Sequence, residues 1–109
     1  MNSFAKKFNF DCEIFQTNHE GEIIDAIGQA RDAVDAVILN AGAYSHYSIA
    51  IRDAIAAIHI PCIEVHCSNI FGRESFRSNS VISSVCAGTI SGFGKYSYFL
   101  AIFALKNIL

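Results

Sequence analysis

The run Ala36-Val37-Ile38-Leu39, opened by Asp35 and closed by Asn40-Ala41-Gly42, constrains this chain more than any other feature. A strand with one wet face alternates apolar and polar residues. An uninterrupted apolar run needs cover on both sides, as in a parallel sheet flanked by helices. The neighbouring segments supply that cover. Ile23, Ile24, Ile27 and Ala30 recur at helical intervals before the run, and Ile51, Ala54, Ile55 and Ile58 do so after it. Thr17-x-x-Glu20 has the spacing of a capping box and predicts the start of the first of these helices. Ser45 or Ser48 is expected to cap the second, which must end before Pro61.

The alternation extends in both directions. Asp11 to Thr17 has a two-residue period and predicts a strand of mixed burial. Pro61 to His66 reads as another, with proline tolerated at its first position. Val81 to Ile90 contains the last strand, Gly92 and Gly94 make a turn, and Lys95 to Asn107 forms a closing helix. Met1 to Phe8 reads as the second half of a helix. Four strand-helix alternations predict one α/β domain, residues 1–109, built on a parallel sheet with helices on both faces.

Composition narrows the setting. The chain is 52% hydrophobic and only 17% charged, so it has little solvated surface for its 109 residues, and an oligomer is the expected way to cover the surplus. Eight basic and ten acidic residues, with no basic run, give no means of tracking a phosphate backbone. The most apolar stretch, Tyr98 to Leu105, lies between Lys95 and Lys106 and is too short for the roughly 20 residues that span a bilayer. Cys12, Cys62, Cys67 and Cys86 form no C-x-x-C pair and sit in or beside apolar runs, as free thiols do. Free thiols and the lack of a continuous apolar leader point to the cytoplasm.

In open α/β sheets ligands bind at the carboxyl ends of the strands. There the chain offers Asn40 and His46 after one strand, Glu64, His66, Cys67 and Ser68 at and after the next, and Arg73 and Arg77 in the loop beyond. Arginine holds a carboxylate bidentately, Asn and Ser read hydroxyls, and histidine moves protons near neutral pH. That inventory suits a small polyhydroxylated acid. Glu64 and His66 share a strand face and, with Cys67 or His46, could begin a metal site, but no further cluster completes a ligand shell. Gly88 to Lys95 superficially resembles a phosphate loop, yet Thr89 and Tyr96 stand where Gly and Ser or Thr are required. His19 and His59 fall at helix ends and are assigned no role.

Five blocks can then be compared with a family. Phe15 to Glu22 (FQTNHEGE), Leu39 to Asp53 (LNAGAYSHYSIAIRD), Ile63 to Ile70 (IEVHCSNI), Arg73 to Arg77 (RESFR) and Gly88 to Gly94 (GTISGFG) closely resemble, in order and spacing, the type II 3-dehydroquinate dehydratases. The resemblance implies a flavodoxin-like fold, a dodecamer of trimers, no metal or cofactor, and a hydro-lyase that converts 3-dehydroquinate to 3-dehydroshikimate in the shikimate or quinate pathways. It implies that His66 is the general acid, oriented by Glu64, and that Asn40, His46, Cys67, Ser68 and Arg77 grip the substrate. Asp53 would reach a neighbouring subunit's site. Ala41, Tyr47 and Cys67 depart from the family's usual residues.

The family's pattern begins with an Asn-Gly-Pro-Asn strand end and a lid loop that bears an arginine and the tyrosine acting as base. None of these has a counterpart here, and Tyr44, Tyr47, Tyr96 and Tyr98 do not map to that tyrosine. The expectation is therefore an N-terminally incomplete domain, lacking the first, central strand and the lid, about 35 to 45 residues shorter than its relatives. In the strand order 2-1-3-4-5 this would leave bare edges on either side of an empty slot. A catalytically inactive fragment or paralogue, serving as a carboxylate-binding or assembly module, is the alternative reading.

Overall fold

The computed structural model describes residues 2–109. Its helices are α1 (Asn2–Lys7), α2 (Glu20–Ala30), α3 (Ile49–Ile58) and α4 (Tyr96–Ile108), and its strands are β1 (Val37–Leu39), β2 (Cys62–His66) and β3 (Gly88–Ser91). Short 3-10 turns at Gly42–His46, Ile70–Gly72, Ser75–Ser78 and Ser83–Val85 fill the connections. The strands form one sheet in the order β1-β2-β3, all parallel, with Ile38 opposite Ile63 and Glu64 opposite Thr89.

Both faces are covered, as the apolar run at β1 requires. Val37, Leu39 and Cys62 face a core made with Ile27 of α2, Ile51, Ile55 and Ile58 of α3, and Ile82. Ile38, Ile63, Val65 and Ile90 face the other side, against Ala101 and Leu105 of α4 and Phe10. All five residues of β2 are buried. Alternation along β2 thus sends Ile63 and Val65 one way and Cys62, Glu64 and His66 the other, so a charged and a titratable side chain sit on an inward face.

Helix α3 begins as expected. Ser48 is its N-cap, and its hydroxyl accepts from the backbone N–H of Ile51 at 3.1 Å and donates to Glu20 of α2. His59 closes the helix in the left-handed region at φ 60°, two residues before Pro61 ends any continuation. The expected capping box at Thr17 does not form. His19 is the N-cap of α2 and provides no side-chain cap, while the Thr17 hydroxyl turns to Glu22 and accepts the His19 N–H at 3.1 Å. The helix starts two residues later than the box would place it, because the threonine hydroxyl engages Glu22 and the His19 N–H rather than the Glu20 N–H that a capping box requires.

The expected strand at Asp11 to Thr17 is also absent. These residues have no regular secondary structure, and Ile14 and Phe15 are 70% and 65% exposed. Ladder hydrogen bonds need a neighbour, and β1 pairs with β2 alone among the described residues. A two-residue period without a strand beside it leaves the backbone in water. The bare edge therefore lies on β1, and the predicted pair of facing edges reduces to one.

Candidate active site at the carboxyl edge of the sheet

Parallel strands bring their carboxyl ends to one edge, and the polar residues gather there. A cleft of about 250 Å³ is lined by Asn40, Gly42, His46, His66, Cys67, Ser68, Ile70, Arg73 and Arg77, among others. Six of the expected site residues meet in it: Asn40, His46, His66, Cys67, Ser68 and Arg77. Glu64 lies beneath it, bonded to His66. Asp53 does not belong to it, being an exposed residue of α3 whose carboxylate contacts the neighbouring Arg52 at 3.3 Å.

Local turns hold each group. Asn40 follows β1, and its Oδ1 accepts the Gly42 N–H at 3.1 Å while Gly42 takes φ 60°, a value that suits glycine. That turn starts the 3-10 segment carrying His46. The His46 Nδ1 lies 2.6 Å from the Asn79 carbonyl, which only accepts, so Nδ1 carries the hydrogen and Nε2 is left as an acceptor. The N–H of Val81 donates to the Ser45 carbonyl at 2.8 Å, a second tie between the same two segments.

His66 is the last residue of β2, and its ring stacks on His46 with centroids 6.1 Å apart and planes 19° from parallel. Its Nε2 lies 2.6 Å from Oε2 of Glu64 in a buried pair. An ionised carboxylate only accepts, so Nε2 donates, and Nδ1 is the nitrogen left for the cleft. Burial pushes the Glu64 carboxyl up. Hydrogen bonds from His66, Ser83 and Ser80 outweigh that effect, and the group lies below its ordinary value.

The arginines close the other side. Arg77 Nε donates to Glu74 at 2.8 Å and its guanidinium lies 4.8 Å over the Phe76 ring. Arg73 Nη1 donates to the Ser68 hydroxyl at 3.3 Å. Two guanidiniums, both near the exposed Glu74 carboxylate, and a serine hydroxyl thus stand beside the Glu64–His66 pair. Among the described residues, no group of three or more His, Cys, Asp or Glu side chains is placed to hold a metal ion.

Several partners escape a reading by motif. The Tyr98 hydroxyl of α4 accepts from Asn40 Nδ2 at 2.9 Å, although the helical pattern assigns Tyr98 to the core; burial raises this phenol above its ordinary value. Ser80, Ser83 and Thr89 converge on Glu64. Only Thr89 leaves a trace in the sequence, since a buried acid on one strand asks for a donor at the paired position of the next. The segment that resembled a phosphate loop is a turn into α4. Gly92 there adopts φ 99°, a backbone conformation that side-chain-bearing residues rarely take.

A parallel α/β sheet whose carboxyl edge carries a buried carboxylate–histidine pair and a cleft lined by two arginines defines an α/β protein with its polar site at the strand ends. The comparisons name the family. Residues 1–106 match the family described as Dehydroquinase class II, and the chain belongs to it. It is 59% identical over 106 residues to a 3-dehydroquinate dehydratase of Caldicellulosiruptor bescii, covering 96% of this chain and 73% of that protein. It is 59% identical over 109 residues to the same enzyme of Bacillus mycoides, covering 100% and 75%. The fold superposes on the type II dehydroquinase of Propionibacterium acnes with a TM-score of 0.91 at 43% identity, covering 96% of this chain and 72% of that one. The type II dehydroquinase of Butyrivibrio crossotus gives 0.91 at 47% identity, covering 97% and 74%. The flavodoxin-like parallel sheet is thus the family's fold in this chain.

Proposed function

We propose that this chain is a 3-dehydroquinate dehydratase, a hydro-lyase of the shikimate pathway, with His66 as the acid of the elimination. The observation that carries the assignment is the buried Glu64–His66 pair at 2.6 Å, with Nδ1 of His66 left for a cleft that two arginines line. The substrate carboxylate would sit against Arg73, Arg77, Ser68 and the backbone of Cys67. Asn40 and His46 would take its hydroxyls. A base from the solvent in the open cleft would take the proton next to the ketone to leave an enolate, and His66 would then give the Nδ1 proton to the departing C1 hydroxyl, which leaves as water. Glu64 stabilises the imidazolium before transfer and keeps the ring oriented afterwards.

A second reading is a carboxylate-binding module that holds the substrate without turning it over, supported by Arg73, Arg77 and Ser68 together on one side of the cleft. Absorbance of the conjugated enone product, measured alongside calorimetry with 3-dehydroquinate, separates the two. The dehydratase makes enone and loses it in His66→Asn; the module binds in calorimetry, loses binding in Arg77→Ala, and makes none.

Self-association belongs to the same reading. Phe93, Tyr96 and Phe103 are each more than half exposed around an apolar groove, and the exposed Asp53, beside Arg52, would meet a neighbouring subunit. A homododecamer built of trimers and a cytoplasmic location are the expected setting, with the four cysteines unbridged. Sedimentation velocity gives the oligomeric state directly.

A further inference from the structure

The carboxylate of Glu64 is fully buried, yet both of its oxygens are occupied. Oε2 accepts from His66 Nε2 at 2.6 Å and from Ser80 Oγ at 2.7 Å; Oε1 accepts from Ser83 Oγ and from Thr89 Oγ1 at 3.3 Å. We propose that Ser80 and Ser83, assisted by Thr89, are positioning residues for the acid, forming a hydroxyl cage that holds Glu64 as an anion and so fixes which nitrogen of His66 faces the cleft. This rests on the reading of His66 as the acid.

Three separate elements supply the cage. Ser80 lies in the loop tied to Ser45 and His46, Ser83 opens the 3-10 turn before β3, and Thr89 is paired in register with Glu64. The Ser80 rotor is itself set, because its oxygen accepts from the Ile82 N–H at 3.3 Å while its proton goes to the carboxylate. A carboxylate bonded at both oxygens from different segments cannot swing away from the imidazole. As an anion it accepts from Nε2, so the Nε2 hydrogen stays in place and the Nδ1 proton is the one transferred. A protonated Glu64 would become a donor and lose that control.

The other ionisable groups on this side are few. His66 and Cys62 share the face of β2, Cys86 lies just before β3, and His46 stacks on His66. β1 presents Leu39 opposite Glu64, and α3 covers this side with Ile51, Ile55 and Ile58. None of these replaces the hydroxyls as neutral donors to both oxygens. The direction of the Glu64 titration agrees, with Ser83 and Ser80 both lowering it.

The test is the pH midpoint of the Glu64 side-chain carboxyl carbon, followed by 13C NMR in the full chain, with the pH profile of kcat beside it. Ser80→Ala and Ser83→Ala each raise the midpoint, and the double variant raises it by roughly one pH unit. The acid limb of kcat moves up in step, KM stays unchanged, and Ser83→Thr restores the original midpoint. Ser78→Ala removes a hydroxyl that bonds only the Ser75 carbonyl and moves nothing. Should the double variant not fold, Ser83→Ala alone and Thr89→Val decide by the same titration. An unmoved Glu64 midpoint in the folded serine variants overturns the cage, as does an equal shift in Ser78→Ala. A wild-type chain that makes no enone overturns the reaction reading instead, while the carboxyl midpoint still decides the cage.

Discussion

Strand β2 and the segment Asp11 to Thr17 both alternate along the chain, and only one of them is a strand. β2 has a partner on each side, buries all five residues and carries the Glu64–His66 pair; the N-terminal segment has no ladder among the described residues and exposes Ile14 and Phe15. A two-residue period specifies which face a residue would take, while a neighbouring strand decides whether the strand exists. Function follows the same division. The groups that need exact placement are on the strand bonded from both sides, where backbone hydrogen bonds fix the position of each Cβ.

The contrast breaks most severely at Glu64. Glu64→Ala removes the acceptor shared by His66, Ser80, Ser83 and Thr89 and leaves buried donors unpaired, so urea unfolding should show a loss of about 3 to 5 kcal/mol. Next comes the apolar support of the same face. Ile51 is fully buried under β2, and Ile51→Ala should cost about 3 kcal/mol in the same measurement.

Acid sharpens the comparison without mutation. The Glu64 carboxyl lies lower in the folded chain than in the unfolded one, so its stabilisation is complete above the unfolded value, about 4.3, and disappears as pH falls through the folded value. Stability measured by urea from pH 6 down to pH 3 should therefore decline, and Glu64→Gln should flatten that decline. The smallest effect belongs to the other region. Ile14→Ser and Phe15→Ser should each change stability by no more than about 0.5 kcal/mol, and amide exchange at Asp11 to Thr17 should be fast where that of β2 is slow.

Much of this arrangement can be read in the residues themselves. The apolar run at β1, the Pro61 boundary before β2 and the isoleucine spacing of α2 and α3 all encode their elements, because burial on both faces or on one helical stripe writes a period into the chain. The site is legible for a related reason. Polar residues placed directly after apolar runs, Asn40, His66 and Ser68, fall at strand ends wherever the sheet is parallel. What stays hidden depends on long-range partners. Nothing local tells Asp11 to Thr17 that no strand lies beside it, and nothing in Thr17-x-x-Glu20 reveals that the threonine turns to Glu22 instead. Ser80 and Ser83 look like loop residues because their role is set by a carboxylate 16 and 19 residues away. Tyr98 looks like core because its helix is apolar nearly all round, and only the packing of α4 brings its hydroxyl to Asn40.

If the caged Glu64–His66 pair is the acid of a dehydratase, it shows in the rate of enone appearance from 3-dehydroquinate, followed by absorbance, for the wild-type chain and for His66→Asn at equal folded concentration. The wild type should make enone, and the variant should be slower by about 10²- to 10⁴-fold. Equal rates in the two proteins, or no enone from the wild type, would contradict it.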